Sequence, residues 1–160
     1  MKKIILILFL YPLLVFGQGT AEEYINSANE KYELKDYSGA MADVNKAINL
    51  STGSAEAFNL RGLIKYQKGI NYGAISDYSK AIKQDPAFAK AYYNRGLAKY
   101  TLNDYSGAII DFNKAIELDA NFFELYVLRG SVKVILKDYS GAIEDYNKVI
   151  ELDPNNADSY

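Results

Sequence analysis

This chain of 160 residues has no cysteine and no histidine. Their absence excludes disulfides, thiol nucleophiles, imidazole bases and zinc sites of the Cys/His kind. Any catalysis would fall to carboxylates, lysine, serine or tyrosine. Basic runs are also missing. Beyond Met1-Lys2-Lys3 no Lys/Arg cluster exists and the net charge is −2, so there is no electrostatic footprint for nucleic acid. No G-x-S-x-G, phosphate-binding glycine loop or calcium loop is present. Adjacent carboxylates such as Glu144-Asp145 read as a solvated helix face rather than an acid/base pair. The sequence therefore predicts no enzyme, no cofactor and no metal. What remains is an ordinary packed composition, 49% hydrophobic and 24% charged.

The N-terminus stands apart. Lys2-Lys3 precede an apolar run from Ile4 to Phe16, followed by Gly17-Gln18-Gly19-Thr20. A basic start, a short apolar stretch and small residues describe a secretory signal over 1–17, with cleavage expected after Gly17. The run is short for a bilayer span and is interrupted by Pro12, and with no cysteine after it lipid attachment is excluded. The expected product is periplasmic or secreted, and free of the membrane once cleaved; an uncleaved anchor is the alternative.

The rest of the chain is periodic. "DYSGA" occurs at Asp36–Ala40, Asp104–Ala108 and Asp138–Ala142, and a divergent "INYGA" at Ile70–Ala74 completes a 34-residue period. Four units follow without a gap, 21–54, 55–88, 89–122 and 123–156, after a linker at 18–20; residues 157–160 read as the start of a fifth. Within Ala89–Phe122, Tyr92, Gly96 and Lys99 fall at helical spacing. Asn103 suits a helix end and Asp104 the cap of a second helix, on which Ala108, Phe112 and Ala115 share a face. Asp85-Pro86 and Asp153-Pro154 end two of the second helices, because a residue before proline avoids the helical region.

These columns resemble the tetratricopeptide repeat, a 34-residue helix–turn–helix. The resemblance rests on an early aromatic (Tyr24, Phe58, Tyr92, Tyr126) and a small residue four positions on (Ala28, Gly62, Gly96, Gly130). The second helix repeats a small residue (Ala40, Ala74, Ala108, Ala142), then an aromatic (Tyr78, Phe112, Tyr146, with Val44 the exception). A second small residue follows (Ala47, Ala81, Ala115, enlarged to Val149). The likeness implies an all-α, right-handed superhelical solenoid whose units stack and share a core. The chain departs from the family in Lys31, Lys65, Lys99 and Lys133, which replace its central tyrosine. Arg61, Arg95 and Arg129 replace a leucine. Gly39, Gly73, Gly107 and Gly141 open the second helices at a cost of about 0.5–1 kcal/mol each relative to alanine. Either another group approaches the backbone there, or the glycine is inherited from one duplicated ancestor and tolerated in a first turn.

A partly buried arginine needs a carboxylate. Asp43, Asp77, Asp111 and Asp145 form the matching column. Because the aspartates share a helical side with Ala47, Ala81 and Ala115, which faces the next unit, the expected pairs are Asp43–Arg61, Asp77–Arg95 and Asp111–Arg129.

The resemblance also implies a concave face lined by the first helices, holding a peptide or protein segment. The groove residues it selects are Asn29, Asn59, Leu63, Tyr66, Lys90, Tyr93, Asn94 and Tyr100. Rings and amides with few charges suit a peptide, although Tyr66, Tyr93 and Tyr100 at helical spacing are equally consistent with packing between helices. The Lys/Asn/Arg set with which one family subtype holds a C-terminal carboxylate maps onto Ile25, Asn29, Leu60, Lys90 and Asn94; only Asn29 and Lys90 match, so no carboxylate clamp is expected. The functional reading is a non-catalytic protein–protein interaction scaffold of an exported compartment. The alternative is a structural or self-assembling module, or a fragment of a longer array. Self-association through the last repeat is expected because its second helix, 138–152, would turn Tyr146, Val149 or Ile150 toward a missing neighbour.

Overall fold

The computed structural model describes residues 19–51 and 53–152. The expected signal at 1–17, Gln18 of the linker and the expected start of a fifth unit lie outside these residues. Eight helices follow one another, and among the described residues there is no strand: α1 (Ala21–Glu33), α2 (Tyr37–Leu50), α3 (Ala55–Gln67), α4 (Asn71–Gln84), α5 (Ala89–Thr101), α6 (Tyr105–Leu118), α7 (Phe123–Ile135) and α8 (Tyr139–Leu152). Helices α1 and α2, α3 and α4, α5 and α6, and α7 and α8 pair as hairpins, and each hairpin stacks on the next. The architecture is an all-α repeat solenoid.

Local chemistry sets each hairpin. Lys35, Gly69, Asn103 and Lys137 take left-handed backbone, with φ of 61°, 74°, 61° and 64°. The next amide then folds back on the first helix: Asp36 N donates to Lys31 O at 2.8 Å and Asp104 N to Lys99 O at 2.9 Å, a Schellman-type stop. Asp36, Asp104 and Asp138 then cap the second helices by accepting from the amides of Gly39, Gly107 and Gly141 at 2.9, 2.9 and 3.0 Å. Thr20 and Glu23 form a reciprocal capping box on α1. Helix α4 stops at Gln84, ahead of Pro86, as expected; Pro154 lies outside the described residues.

Close packing inside each hairpin depends on a matched pair. A Cβ added to Gly62 would meet the Tyr78 ring at 2.5 Å, one on Gly96 the Phe112 ring at 2.6 Å, and one on Gly130 the Tyr146 ring at 2.8 Å. The first unit changes both members together, with Ala28 in the glycine column and Val44 in the ring column, and both are fully buried. Between units the seams close on small residues: Ala47, Ala81 and Ala115 have no exposure at all.

Candidate functional site

Helix α3 packs against α1 and α5 as well as against its own hairpin partner. First helices thus touch first helices, which places them on the inside of the curve. Three side-chain hydrogen bonds cross this inner face. Gln67 Nε2 donates to Tyr32 Oη at 3.2 Å, Asn94 Nδ2 donates to Asn59 Oδ1 at 2.9 Å, and the Tyr66 and Thr101 hydroxyls are hydrogen-bonded to each other at 3.1 Å. Each links one repeat to the next.

The cleft between α1, α3 and α5 has a volume of about 640 Å³ and is lined by Asn29, Glu56, Asn59, Leu63, Phe88 and Lys90, among others. Four of the eight sequence-selected groove residues thus meet in one open concavity: Asn29, Asn59, Leu63 and Lys90. Asn59 spends its carbonyl on Asn94, which leaves its amide nitrogen as a donor. Glu56 and Lys90 are exposed and place opposite charges at the edges, while Leu63 and Phe88 supply half-buried apolar surface. Ser54 and Phe88 were not among the sequence-selected residues. Glu56 was legible from its helical spacing with Asn59 and Leu63, whereas Ser54 and Phe88 enter only through the loops between units.

The other selected residues are positioned differently. Asn94 is buried and its amide is committed to Asn59. The rings pack: Tyr93 lies 5.0 Å from Phe122 and Tyr100 lies 5.7 Å from Tyr105, centroid to centroid. Burial, with the Glu124 carboxylate adding to it, pushes the Tyr93 phenol above its ordinary value. Tyr66 leans against the core around Tyr78. Of the two readings the rings allowed, packing between helices is the one their contacts support.

The ion pairs overturn the expected scheme. Arg61 binds Asp77 with Nε and Nη2, both at 2.8 Å. Arg95 binds Asp111 at 2.9 and 2.7 Å, and Arg129 binds Asp145 at 3.0 and 2.5 Å. Every arginine therefore closes on the aspartate of its own hairpin, not on that of the preceding unit. The aspartate turns back across the two-helix unit, because the hairpin partner is the nearer neighbour, while the alanines beside it take the seam to the next unit. The third nitrogen of each arginine does reach the preceding unit, at Asn45, Ser79 and Asn113. Each guanidinium also lies over the aromatic three residues earlier, Phe58, Tyr92 or Tyr126, at 5.5–5.6 Å.

The lysine column completes the arrangement. Lys65 reaches Asp77 at 2.6 Å, Lys99 reaches Asp111 at 2.8 Å, and Lys133 reaches Asp145 at 2.9 Å. In the first unit Ser27 occupies the arginine column and donates to Asp43 at 2.8 Å, and Lys31 and Lys46 supply the charge. The hydrogen bond from Lys31 is the main cause that holds Asp43 down at about 2, against the opposing effect of burial. Burial alone would raise Asp77, but the bonds from Arg61 and Lys65 outweigh it and keep its carboxyl below the usual range. The sequence carried the signal, since Arg and Lys recur four apart on one helix face.

The glycine of "DYSGA" acquires a reason here. A Cβ on Gly39, Gly107 or Gly141 would run first into the carboxylate of the capping aspartate, Asp36, Asp104 or Asp138, and the one on Gly39 would also come 3.0 Å from Lys31 Cδ. The lysine ammonium in later units also reaches the carbonyl of Gly107 or Gly141, at 3.4 and 3.1 Å. A side chain at this position would crowd the carboxylate that caps the second helix and, in the first unit, the lysine stem as well.

Comparison with known proteins agrees with this architecture. A family model described as "TPR repeat" matches residues 62–103 and 130–160, and one described as "Tetratricopeptide repeat" matches 89–122. Together they cover more than half of the chain. No curated protein matches it. Among solved structures, MamA from Desulfovibrio magneticus RS-1 is 25% identical with a TM-score of 0.76, over 84% of this chain and 76% of that one. YrrB, described as a TPR protein with an unusual peptide-binding site, is 25% identical with a TM-score of 0.77, over 87% and 72%. The first TPR of Spaghetti (RPAP3), bound to the HSP90 peptide SRMEEVD, is 21% identical with a TM-score of 0.72, over 74% and 94%, and is a likeness of fold alone.

Proposed function

Because this chain belongs to the tetratricopeptide-repeat family, we propose that it is a non-catalytic interaction scaffold whose inner face holds a peptide or extended protein segment. The observation that carries the reading is the open cleft of about 640 Å³, where Asn29, Asn59, Leu63 and Lys90 converge. Its chemistry suits a main chain. Amide donors can engage backbone carbonyls, Leu63 and Phe88 offer apolar contact, and Glu56 and Lys90 can read charges of either sign at the edges. The peptide-binding site attributed to YrrB supports this use of the fold. The basic start and apolar run ahead of Gly17 further support an exported scaffold, acting outside the cytoplasm after cleavage.

A displayed library of random peptides tests the reading. Enriched peptides are expected to bind with micromolar affinity and to compete with one another. Glu56→Lys and Lys90→Glu, both at exposed positions, are expected to change the selected charge pattern while leaving the melting temperature within a degree or two. Failure to enrich any peptide, or enriched peptides indifferent to both substitutions, would contradict it.

A further inference from the structure

The first helices keep their cations and their carboxylates on different sides. Among the described residues, every Lys and Arg of α1, α3, α5 and α7 except Lys90 pairs with a buried aspartate of its own hairpin. No glutamate of these helices is bridged to a cation. Glu22, Glu56 and Glu124 are exposed and share one repeat column with Lys90. The buried aspartates thus draw positive charge off the inner face. A chain that is near balance as a whole presents an acidic surplus there.

The inner cleft has the same bias. Glu56 and Asp85 line it, against Lys90 alone. Asp85 spends Oδ1 on the Ala87 amide at 2.9 Å and keeps its other oxygen. Exposed carboxylates alone do not make a site; the independent mark is Asn59. Its side chain is buried, with the residue only 8% exposed, and its Oδ1 is taken by Asn94. Among the described residues no buried side-chain nitrogen or oxygen lacks a partner. Asn59 Nδ2, which has none, therefore opens into the cleft that the residue lines. A donor fixed in an otherwise buried side chain suits an acceptor that another molecule brings.

We propose that the segment held in this cleft is a basic one, with lysine or arginine side chains on Glu56 and Asp85 and main-chain carbonyls on Asn59 Nδ2 and the Lys90 ammonium. The inference rests on the peptide-binding reading and adds the sign of the partner's charge. Complementary charge selects the partner and its register more than it adds affinity. An acidic segment would set its carboxylates against two others, with one ammonium to compensate, and like charges so placed oppose docking. A basic segment meets no such opposition, because its carbonyls occupy the one cation.

Fluorescence anisotropy with peptide mixtures of one length, capped at both ends, tests this on the whole chain. The mixtures are identical except that the same fixed positions carry lysine, serine or glutamate. The lysine mixture is expected to bind most tightly and the glutamate mixture least, with the difference fading as salt is raised. Glu56→Gln and Asp85→Asn, both at exposed positions, should each weaken the lysine mixture about two- to fivefold, as loss of an exposed ion pair would. Glu144→Gln removes an exposed carboxylate from α8, outside the cleft, and should change nothing. Equal binding of all the mixtures, or a preference for glutamate, overturns this inference and leaves the peptide-binding reading standing. So does a lysine preference indifferent to both cleft variants, which would assign the attraction to the chain's overall field. Binding of no mixture overturns both.

Discussion

Arg95 places Nε and one terminal nitrogen on Asp111, sixteen residues ahead, and its other terminal nitrogen on the Ser79 hydroxyl, sixteen residues behind, at 3.0 Å. One side chain thus ties the two helices of its own hairpin and the second helix of the unit before. Arg61 and Arg129 repeat the geometry with Asn45 and Asn113. The stack is therefore pinned by polar contacts as well as by its alanine seams, and the two kinds of contact respond to different perturbations.

Removing the buried charge should be costly. Asp111→Asn leaves Arg95 and Lys99 without their carboxylate, and is expected to lower stability by about 3–5 kcal/mol. A double-mutant cycle between Arg95 and Asp111 should show a coupling of about 1–3 kcal/mol, while a cycle between Arg95 and Asp77 should show little. Comparable coupling in both cycles would contradict pairing within the hairpin.

The matched glycine and ring give a second test. Gly62→Ala drives a methyl into the Tyr78 ring and should cost about 1–3 kcal/mol. Tyr78→Val alone opens a cavity and should also destabilise. Combined, the two recreate the Ala28/Val44 pair of the first unit, so the double variant should be more stable than the sum of the singles predicts. Strict additivity in thermal melts would show that the two positions do not share one space.

Acid should act through the aspartate column. Asp43, held at about 2, and Asp77, also lowered, bind protons more weakly in the folded chain than in the unfolded one. Their contribution is complete above the unfolded carboxylate value of about 3.9 and fades as pH falls toward 2. Stability is therefore expected to hold near neutrality and drop below about pH 4. Lys31→Met removes the main cause at Asp43, and should shift the acid transition to higher pH while leaving the slope above pH 5 unchanged. An acid transition that does not move would assign the stabilisation elsewhere.

The architecture was legible because it is local and repeated. Left-handed Asn103, the Asp104 cap and the Ala108/Phe112/Ala115 face are each decided within a dozen residues, and their recurrence removes ambiguity. The pairing partner of Arg95 was not, because Asp77 and Asp111 stand on identical helical faces and only the three-dimensional nearness of the hairpin separates them. The site was legible in part for a similar reason. Asn29, Asn59, Leu63 and Lys90 share the inner face by spacing alone, but the same spacing holds for Tyr93 and Tyr100. Their commitment to Phe122 and Tyr105 depends on how the following loop and helix return over them.

The central claim is that partners enter through the inner cleft, and position-specific photocrosslinking tests it most directly. A photoreactive phenylalanine analogue replaces Leu63, which lines the cleft, or Ile110, which is 66% exposed on α6 and does not line it. With a library-selected peptide present, crosslinks from position 63 and none from position 110 are expected, and Lys90→Glu should diminish the adduct. Equal labelling at both positions, or labelling at 110 alone, would contradict the account.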